Sequence, residues 1–84
     1  MILAIDIGNT NIVLGCIEGR EIVREARMAT DLVKTSDQYC AELKAMLELL
    51  EVKVDGIEGC IISSVVPPVL NSFRTALIKL TGSA

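Results

Sequence analysis

The stretch ILAIDIGNTNIVLGCI, residues 2–17, decides the fold class because it contains two predicted strands and the turn between them. Residues 2–7 form a short apolar run rich in isoleucine, which predicts a buried strand. Residues 12–17 are apolar on both alternating faces, which predicts a second strand covered on both sides. The Gly-Asn-Thr-Asn segment between them suits a tight hairpin with left-handed backbone positions. The chain is therefore predicted to begin with a β-hairpin.

The rest of the sequence predicts one more strand, then a helix, a strand and a second helix. Residues 21–29 are more polar and predict a third strand at a sheet edge. Thr35 and Gln38 have the spacing of a capping box before a helix over residues 36–50. Residues 59–66 predict a fourth strand that two prolines end, and the following helix has Pro68 in its first turn and ends at Gly82. The apolar stripes of the two helices are Tyr39, Cys40, Leu43, Met46, Leu47 and Leu50, and Leu70, Phe73, Leu77 and Leu80.

The element order β-β-β-α-β-α predicts an α/β fold with a mixed sheet and helices packed on it. The fourth strand should run parallel to the first, because a helix crosses over between them in a right-handed connection. No later strand follows to cover the apolar, β-branched edge of the fourth strand, and such an edge invites association. We therefore expect that the domain lacks its last strand and that the chain is truncated at Ala84.

Composition limits the chain to one small domain and disfavours several function classes. The 84 residues are 51% hydrophobic with only two aromatic residues, so the core should be aliphatic. The net charge of −3 and the scattered lysine and arginine residues argue against a nucleic-acid or membrane-surface partner. The N-terminus does not have the pattern of a signal peptide, and no apolar run approaches the ~20 residues of a membrane span.

Three cysteines, Cys16, Cys40 and Cys60, lie far apart in the sequence. They form no CxxC pair and no histidine accompanies them, which makes a zinc site very unlikely. Each lies within an apolar pattern, where a reduced cysteine behaves as a small hydrophobic residue. We expect three core thiols and a reducing, cytosolic compartment.

Two interpretations of the segment from Asp6 to Asn11 remain open on the residues alone. A sharp turn after a strand can present backbone N–H groups to an anion, and the side chains of Asn9, Thr10 and Asn11 can donate to phosphate oxygens. An ordinary hairpin explains the same turn. Asp6 interrupts an apolar strand, where an unpaired buried carboxylate would be costly. A hydrated Mg²⁺ site and a solvent-exposed strand end both account for it.

Three segments together resemble one enzyme family. DIGNTN, residues 6–11, resembles the first phosphate loop of the acetate and sugar kinase, heat-shock protein 70 and actin superfamily. With TDLVKTSDQY at residues 30–39 and SSVVPP at residues 63–68, in that order, the chain is similar to type III pantothenate kinases over essentially its whole length. The resemblance implies that residues 1–84 are the N-terminal ribonuclease-H-like (actin-like ATPase) domain, truncated, with the second domain absent. It also implies an enzyme that phosphorylates pantothenate with ATP to 4'-phosphopantothenate in coenzyme A biosynthesis.

The resemblance assigns binding roles to the first loop. Asp6 should lie near a Mg²⁺ ion and contact it through water, while Gly8, Asn9 and Thr10 should lie at the phosphates. The family also implies a monovalent cation (K⁺ or NH₄⁺), a homodimer and a cytoplasmic location. The ATP-binding residues implied are Asp6, Ile7, Gly8, Asn9, Thr10, Asn11, Ile12 and Val13.

One part of the kinase machinery does not occur in this sequence. The general base of the family is an aspartate in a downstream G-x-D-R segment, and these 84 residues contain no such segment. Asp31, Asp37 and Asp55 do not follow the motif, and Asp37 suits a helix first turn instead. We therefore assign no catalytic residue and expect the fragment alone to be inactive.

Alternative interpretations remain open for two of the segments and for the function. A capped helix start explains Thr35 and its neighbours without a ligand, and a plain strand-to-helix connection explains Ser63 and Ser64 as well as a ligand site at the strand end does. A nucleotide-responsive accessory protein in transcription regulation is the alternative function, although the acidic balance argues against direct DNA contact. The segments at residues 34–39 and 63–68 disfavour a heat-shock or actin type of ATPase.

Overall fold

The computed structural model describes residues 1–82, which form a four-stranded sheet and two helices. The strands are β1 (Ile2–Ile7), β2 (Asn11–Glu18), β3 (Glu21–Ala29) and β4 (Gly59–Ser64). The helices are α1 (Ser36–Leu49), between β3 and β4, and α2 (Pro67–Thr81), after β4. A single 3₁₀ turn, Val54–Gly56, interrupts the connection from α1 to β4. The predicted order β-β-β-α-β-α is confirmed.

The sheet is mixed, with the strand order β3-β2-β1-β4. β1 pairs with β2 and β2 with β3 in antiparallel fashion, whereas β1 and β4 run parallel. This arrangement confirms β3 as an edge strand and β4 as the parallel neighbour of β1, and it fits the ribonuclease-H-like domain that the resemblance implies. Because β1 and β4 are parallel neighbours, their carboxyl ends lie at the same edge of the sheet.

The core lies between one face of the sheet and the two helices. Alternate residues of β1 and β2 point into it, as the pleat of a strand requires. Both aromatic residues lie in this aliphatic core, with the rings of Tyr39 and Phe73 edge-on at 5.5 Å and an interplanar angle of 64°. The fully buried side chains on this face include Leu3, Ile7, Ile12, Leu14, Cys16, Leu43 and Leu47.

The other face of the sheet is open across the described residues. Val13 and Ile17 of β2 are only half-buried there, and Ile22 and Ile61 are 61% and 63% exposed. The prediction that β2 is covered on both sides is therefore wrong. The apolar run of β2 gave no sign of which face the helices would cover.

The helix ends follow the predicted local chemistry. The backbone N–H of Gln38 donates to Thr35 Oγ1 at 3.2 Å, and the backbone N–H of Thr35 donates to Gln38 Oε1 at 2.8 Å, so the capping box is confirmed. α2 begins with two prolines and ends at Gly82, whose φ of 72° is left-handed. Gly82 donates its N–H to the carbonyl of Ile78 at 2.8 Å.

The three cysteines were predicted to be core thiols. This prediction is confirmed in full for Cys16 and is wrong for Cys60. Cys16 is buried, Cys40 is half-buried and Cys60 is exposed. Cys60 lies on β4, an edge strand among the described residues, so no neighbouring strand shields it. Within residues 1–82, neither helix has the length and apolar character needed to cross a membrane.

Candidate functional site

The turn between β1 and β2 is a short hairpin closed by one backbone hydrogen bond. The N–H of Gly8 donates to the carbonyl of Asn11 at 2.9 Å. The predicted left-handed positions are wrong, because the residues described with positive φ are Gly19, Glu51 and Gly82. Glycine is instead needed at position 8 for space, since a Cβ there would lie 3.1 Å from the carbonyl oxygen of Asn11.

The crest of this hairpin, residues 9–11, presents free hydrogen-bond donors to solvent. The side chains of Asn9, Thr10 and Asn11 are exposed. Within residues 1–82, the backbone N–H groups of Asn9 and Thr10 donate to no protein acceptor. One long contact, 3.4 Å from Asn11 Nδ2 to Thr10 Oγ1, joins two of the side chains. Two adjacent backbone donors with amide and hydroxyl groups beside them are suited to an oxyanion such as a phosphate.

Asp6 lies beside the hairpin on the open face of the sheet. Its side chain is exposed, and in the described part of the chain it makes no hydrogen bond and no ion pair. Asp6 thus lies at an exposed strand end, which is one of the two interpretations that the sequence left open. Because it is exposed, no free energy is lost by burying its carboxylate. No group of three or more acidic or cysteine side chains with the geometry of a metal cage occurs within residues 1–82. One free carboxylate fits Mg²⁺, which keeps several waters and is held by one or two carboxylates together with substrate phosphates.

Two neighbours share the open face with Asp6. Val13 is its register partner on β2 and Ser63 is its register partner on β4. Ser63 is exposed, and among residues 1–82 its hydroxyl has no hydrogen-bond partner. The hydroxyl of Ser64, on the opposite face, accepts from the N–H of Val66 at 3.0 Å and is occupied by this local turn. The sheet therefore brings Asp6 and Ser63 together at the carboxyl ends of two parallel strands.

The geometry agrees with comparisons to known sequences. The sequence model of type III pantothenate kinases matches residues 2–84. The chain belongs to the type III pantothenate kinase family. It is 45% identical over 82 residues to the type III pantothenate kinase of Bifidobacterium longum subsp. infantis, covering 98% of this chain and 32% of that protein.

Two further relatives carry the same name. The enzyme from Bifidobacterium animalis subsp. lactis is 48% identical over 98% of this chain and 32% of its own length. The enzyme from Exiguobacterium sibiricum is 49% identical over 94% of this chain and 31% of its own length. The chain therefore spans about a third of the length of the curated relatives it matches.

The family's first loop contains residues that the structure places in the core. Ile7 and Ile12 are fully buried on the helix-covered face, so only their backbone atoms can take part in a site at the hairpin. Val13 is half-buried on the open face next to Asp6. The eight residues implied by the resemblance thus divide into four exposed residues, which can touch a ligand, two half-buried ones, Gly8 and Val13, and a buried pair that holds the hairpin in place.

The second family segment, residues 30–39, makes contacts within its own loop, with α1 and with α2. Asp31 Oδ1 accepts the N–H of Val33 at 2.9 Å, and Asp37 forms an ion pair with Lys79 of α2. Lys34 pairs with Glu42, and this hydrogen bond raises the pKa of the Lys34 ammonium. These contacts join α1 to the preceding loop and to α2, and they bring none of the side chains of Asp31, Lys34 and Asp37 to the hairpin crest.

Thr30, the first residue of this segment, lies at the site and was assigned no role from the sequence. Thr30 Oγ1 donates to the carbonyl of Gly8 at 2.8 Å, and the N–H of Thr30 donates to the carbonyl of Thr10 at 2.9 Å. The signal was available in the strand order, because β3 follows β2 as a hairpin and its end must return beside the first loop. Local motif reading does not reveal it, since 22 residues separate the two partners.

Another hollow of the described surface lies away from the hairpin. It is a groove of about 790 Å³ between β4 and the carboxyl-terminal half of α2, lined among others by Cys60, Ile62, Arg74 and Leu77. It contains none of the residues implied for ATP binding. We take the hairpin as the candidate site because the free donors and the free carboxylate lie there.

Proposed function

We propose that residues 1–84 form the N-terminal, ATP-binding part of a type III pantothenate kinase, which phosphorylates pantothenate to 4'-phosphopantothenate in coenzyme A biosynthesis. One observation carries the proposal: in a chain of this family, the free carboxylate of Asp6 and the free N–H groups of Asn9 and Thr10 lie at the same end of β1. The name that the relatives share, type III pantothenate kinase, supports pantothenate and ATP as the substrates. Because the chain covers 32% of such a relative, the activity of the whole protein is part of the proposal.

The hairpin acts as a phosphate clamp. The backbone N–H groups of Asn9 and Thr10 donate to phosphate oxygens of ATP, and the side chains of Asn9, Thr10 and Asn11 add further donors. Gly8 allows the chain to close the hairpin tightly, since no Cβ meets the carbonyl of Asn11. The clamp holds the transferred group in place, and positioning accounts for much of the catalysis in phosphoryl transfer.

Asp6 would hold a hydrated Mg²⁺ ion next to the clamp. Its carboxylate would repel a phosphate directly, so holding the ion is the role that suits it here. When bound, Mg²⁺ neutralises charge on the phosphate oxygens. Ser63 lies beside Asp6, and its hydroxyl is suited to bind a water of this shell. The hairpin has no lysine, which makes a metal ion more necessary for charge neutralisation than in a lysine-containing phosphate loop.

The base that accepts the proton of the pantothenate hydroxyl is not among these residues. The G-x-D-R segment that carries it in the family does not occur in the 84 residues. The isolated chain is therefore expected to bind nucleotide without transferring phosphate to pantothenate. Binding and catalysis divide between this chain and the part of the family sequence that it does not match.

Further family properties belong to the same proposal. These are activation by a monovalent cation, assembly as a homodimer and a cytoplasmic location. The resemblance supports all three, and the free thiols Cys16, Cys40 and Cys60 fit a reducing compartment. No residue of this chain is assigned to the cation or to the dimer contact.

The proposal is tested by comparing two proteins in one assay for ATP-dependent formation of 4'-phosphopantothenate. One is an enzyme of full family length that carries residues 1–84, and the other is the 84-residue chain alone. We expect Mg²⁺-dependent product with the first and none with the second. Failure of the full-length enzyme to phosphorylate pantothenate would contradict the function, and robust turnover by the chain alone would contradict the division of roles.

A further inference from the structure

The end of β3 holds the hairpin at two points through one residue. Thr30 Oγ1 donates to the carbonyl of Gly8 at 2.8 Å. The backbone N–H of Thr30 donates to the carbonyl of Thr10 at 2.9 Å. Asn9 lies between the two carbonyls that Thr30 binds. A single residue directly after β3 therefore fixes both sides of the hairpin crest.

Holding these carbonyls also sets the direction of two N–H groups. The carbonyl of Gly8 and the N–H of Asn9 belong to one planar, trans peptide group, in which they point to opposite sides. The same holds for the carbonyl of Thr10 and the N–H of Asn11. Because Thr30 draws both carbonyls toward β3, it turns both N–H groups away from β3. One of the two backbone donors proposed to meet phosphate, the N–H of Asn9, thus takes its orientation from Thr30, and the N–H of Asn11 beside the second donor is oriented in the same way.

The position of Thr30 is itself fixed by the helices. The hydroxyl of Tyr39 donates to the carbonyl of Asp31 at 2.6 Å and accepts the N–H of Asp31 at 2.9 Å, so it clamps the residue next to Thr30. Tyr39 is fully buried in α1 and its ring packs edge-on against Phe73 of α2. These contacts connect the hairpin, which lies at the surface, to the core between the sheet and the two helices.

We propose that Thr30 is a positioning residue for ATP binding, which orients the phosphate-facing N–H of Asn9 and holds the hairpin on both sides of it without touching the nucleotide. The inference rests on the proposed function, since it names how that site is kept in shape. Preorganised donors bind an anion without first having to be ordered, so losing the Thr30 hydroxyl should weaken ATP binding selectively. Pantothenate binding should not change, because no pantothenate contact is assigned to the hairpin.

The test compares Thr30→Val with Thr30→Ser and Thr75→Val in the enzyme of full family length. Thr30→Val keeps the shape and removes the hydroxyl donor, whereas Thr30→Ser keeps the donor. Thr75→Val is the matched control, because Thr75 Oγ1 donates to the carbonyl of Asn71 at 3.0 Å on the exposed side of α2. The measurements are KM for ATP, KM for pantothenate, the melting temperature, and amide hydrogen exchange at residues 9–11.

We expect Thr30→Val to raise KM for ATP by about fivefold to tenfold, the effect of one lost hydrogen bond. KM for pantothenate should stay within about twofold, and exchange at residues 9–11 should accelerate. Thr30→Ser should recover most of the affinity, and Thr75→Val should change neither KM nor exchange at the hairpin.

Two results would overturn the inference. One is a Thr30→Val enzyme with unchanged KM for ATP and unchanged exchange at residues 9–11. The other is a rise of both KM values together with a large loss of melting temperature, which would indicate a purely structural role. If the unmodified enzyme shows no ATP-dependent turnover, the proposed function fails instead. The exchange data then still decide whether Thr30 orders the hairpin.

Discussion

The backbone N–H of Gly8 donates to the carbonyl of Asn11 at 2.9 Å, and a Cβ on Gly8 would lie 3.1 Å from that same oxygen. The carbonyl that closes the hairpin is thus the group that a side chain at position 8 would crowd. Because this neighbour is backbone rather than a flexible side chain, making room for a Cβ requires a shift of a few tenths of an ångström in the hairpin itself. The glycine serves close approach, and the turn requires no left-handed φ at this position.

Replacing this glycine gives a first prediction. Gly8→Ala should lower the free energy of unfolding by about 1–3 kcal/mol, the usual cost of an added group in a tight site, and should weaken ATP binding. Gly56→Ala is the matched control, because a Cβ at Gly56 meets nothing within 4 Å. The control should be neutral or stabilising by up to about 1 kcal/mol. Urea unfolding and nucleotide titration measure both effects, and equal stability of the two variants would contradict the steric argument.

Asp6 is predicted to matter for turnover and not for folding. Asp6→Asn in the enzyme of full family length should reduce turnover by about 10- to 100-fold, as loss of a group that holds a metal through water does. The melting temperature should be nearly unchanged, since Asp6 is exposed and makes no contact within residues 1–82 that the variant would break. Asp55→Asn, at an exposed acid in the 3₁₀ turn, is the control for loss of charge. Unchanged activity of Asp6→Asn across a Mg²⁺ titration would leave Asp6 as a strand-end residue only.

The capping box at the start of α1 is predicted to stabilise the fold. Thr35→Ala removes the acceptor for the N–H of Gln38 and should cost about 1 kcal/mol of unfolding free energy. Thr75→Ala, within the exposed part of α2, should be neutral or slightly stabilising, because alanine has the higher helix propensity. Thermal unfolding of the two variants makes the comparison. A Thr35→Ala protein as stable as the unmodified chain would show that the box contributes nothing measurable.

Cys60 and Cys16 are predicted to differ in how fast iodoacetamide labels them, and the labelling rate of Cys60 is predicted to depend on pH. Burial raises the pKa of the Cys60 thiol above its ordinary value, although the residue is exposed. A raised pKa means less thiolate at neutral pH, so iodoacetamide should label Cys60 more slowly than an unstructured cysteine. Its rate should keep rising with pH after the unstructured thiol, with a pKa of about 8.5, has levelled off.

Cys16 provides the internal comparison for this labelling. It is fully buried, and burial raises the pKa of its thiol as well. It should be labelled only when the protein unfolds, whereas Cys60 should be labelled in the native state. Peptide mass spectrometry after timed labelling distinguishes the two. Native-state labelling of Cys16 before Cys60 would contradict the described packing.

Much of the fold could be predicted because the decisive signals are local. The change of hydrophobic period after Ala29, the capping box of Thr35 and Gln38, and the prolines before α2 each involve neighbouring residues. Parallel pairing of β4 with β1 then follows from the intervening helix. The exposure of Cys60 and the open face at Ile61 could not be predicted, since they depend on which layers cover the sheet.

The candidate site was predictable in its residues and less so in its geometry. The sequence indicated the position of Asp6 and the hairpin, but both a plain turn and a phosphate loop fitted it. The backbone of the turn differs from the expected left-handed form, because the hairpin is shaped by contacts from Thr30 as well as by its own residues. Such long-range contacts have no signature in a short segment.

Binding of the phosphates of Mg-ATP by the hairpin and Asp6 can be followed through the backbone amide resonances of the ¹⁵N-labelled protein during titration with ATP. In the presence of Mg²⁺, we expect the largest shifts at Asn9 and Thr10, and we expect Asp6→Asn to reduce them greatly. The contrary result is ATP binding that leaves these two amides unchanged and instead shifts residues elsewhere, such as Arg74 in the groove beside β4.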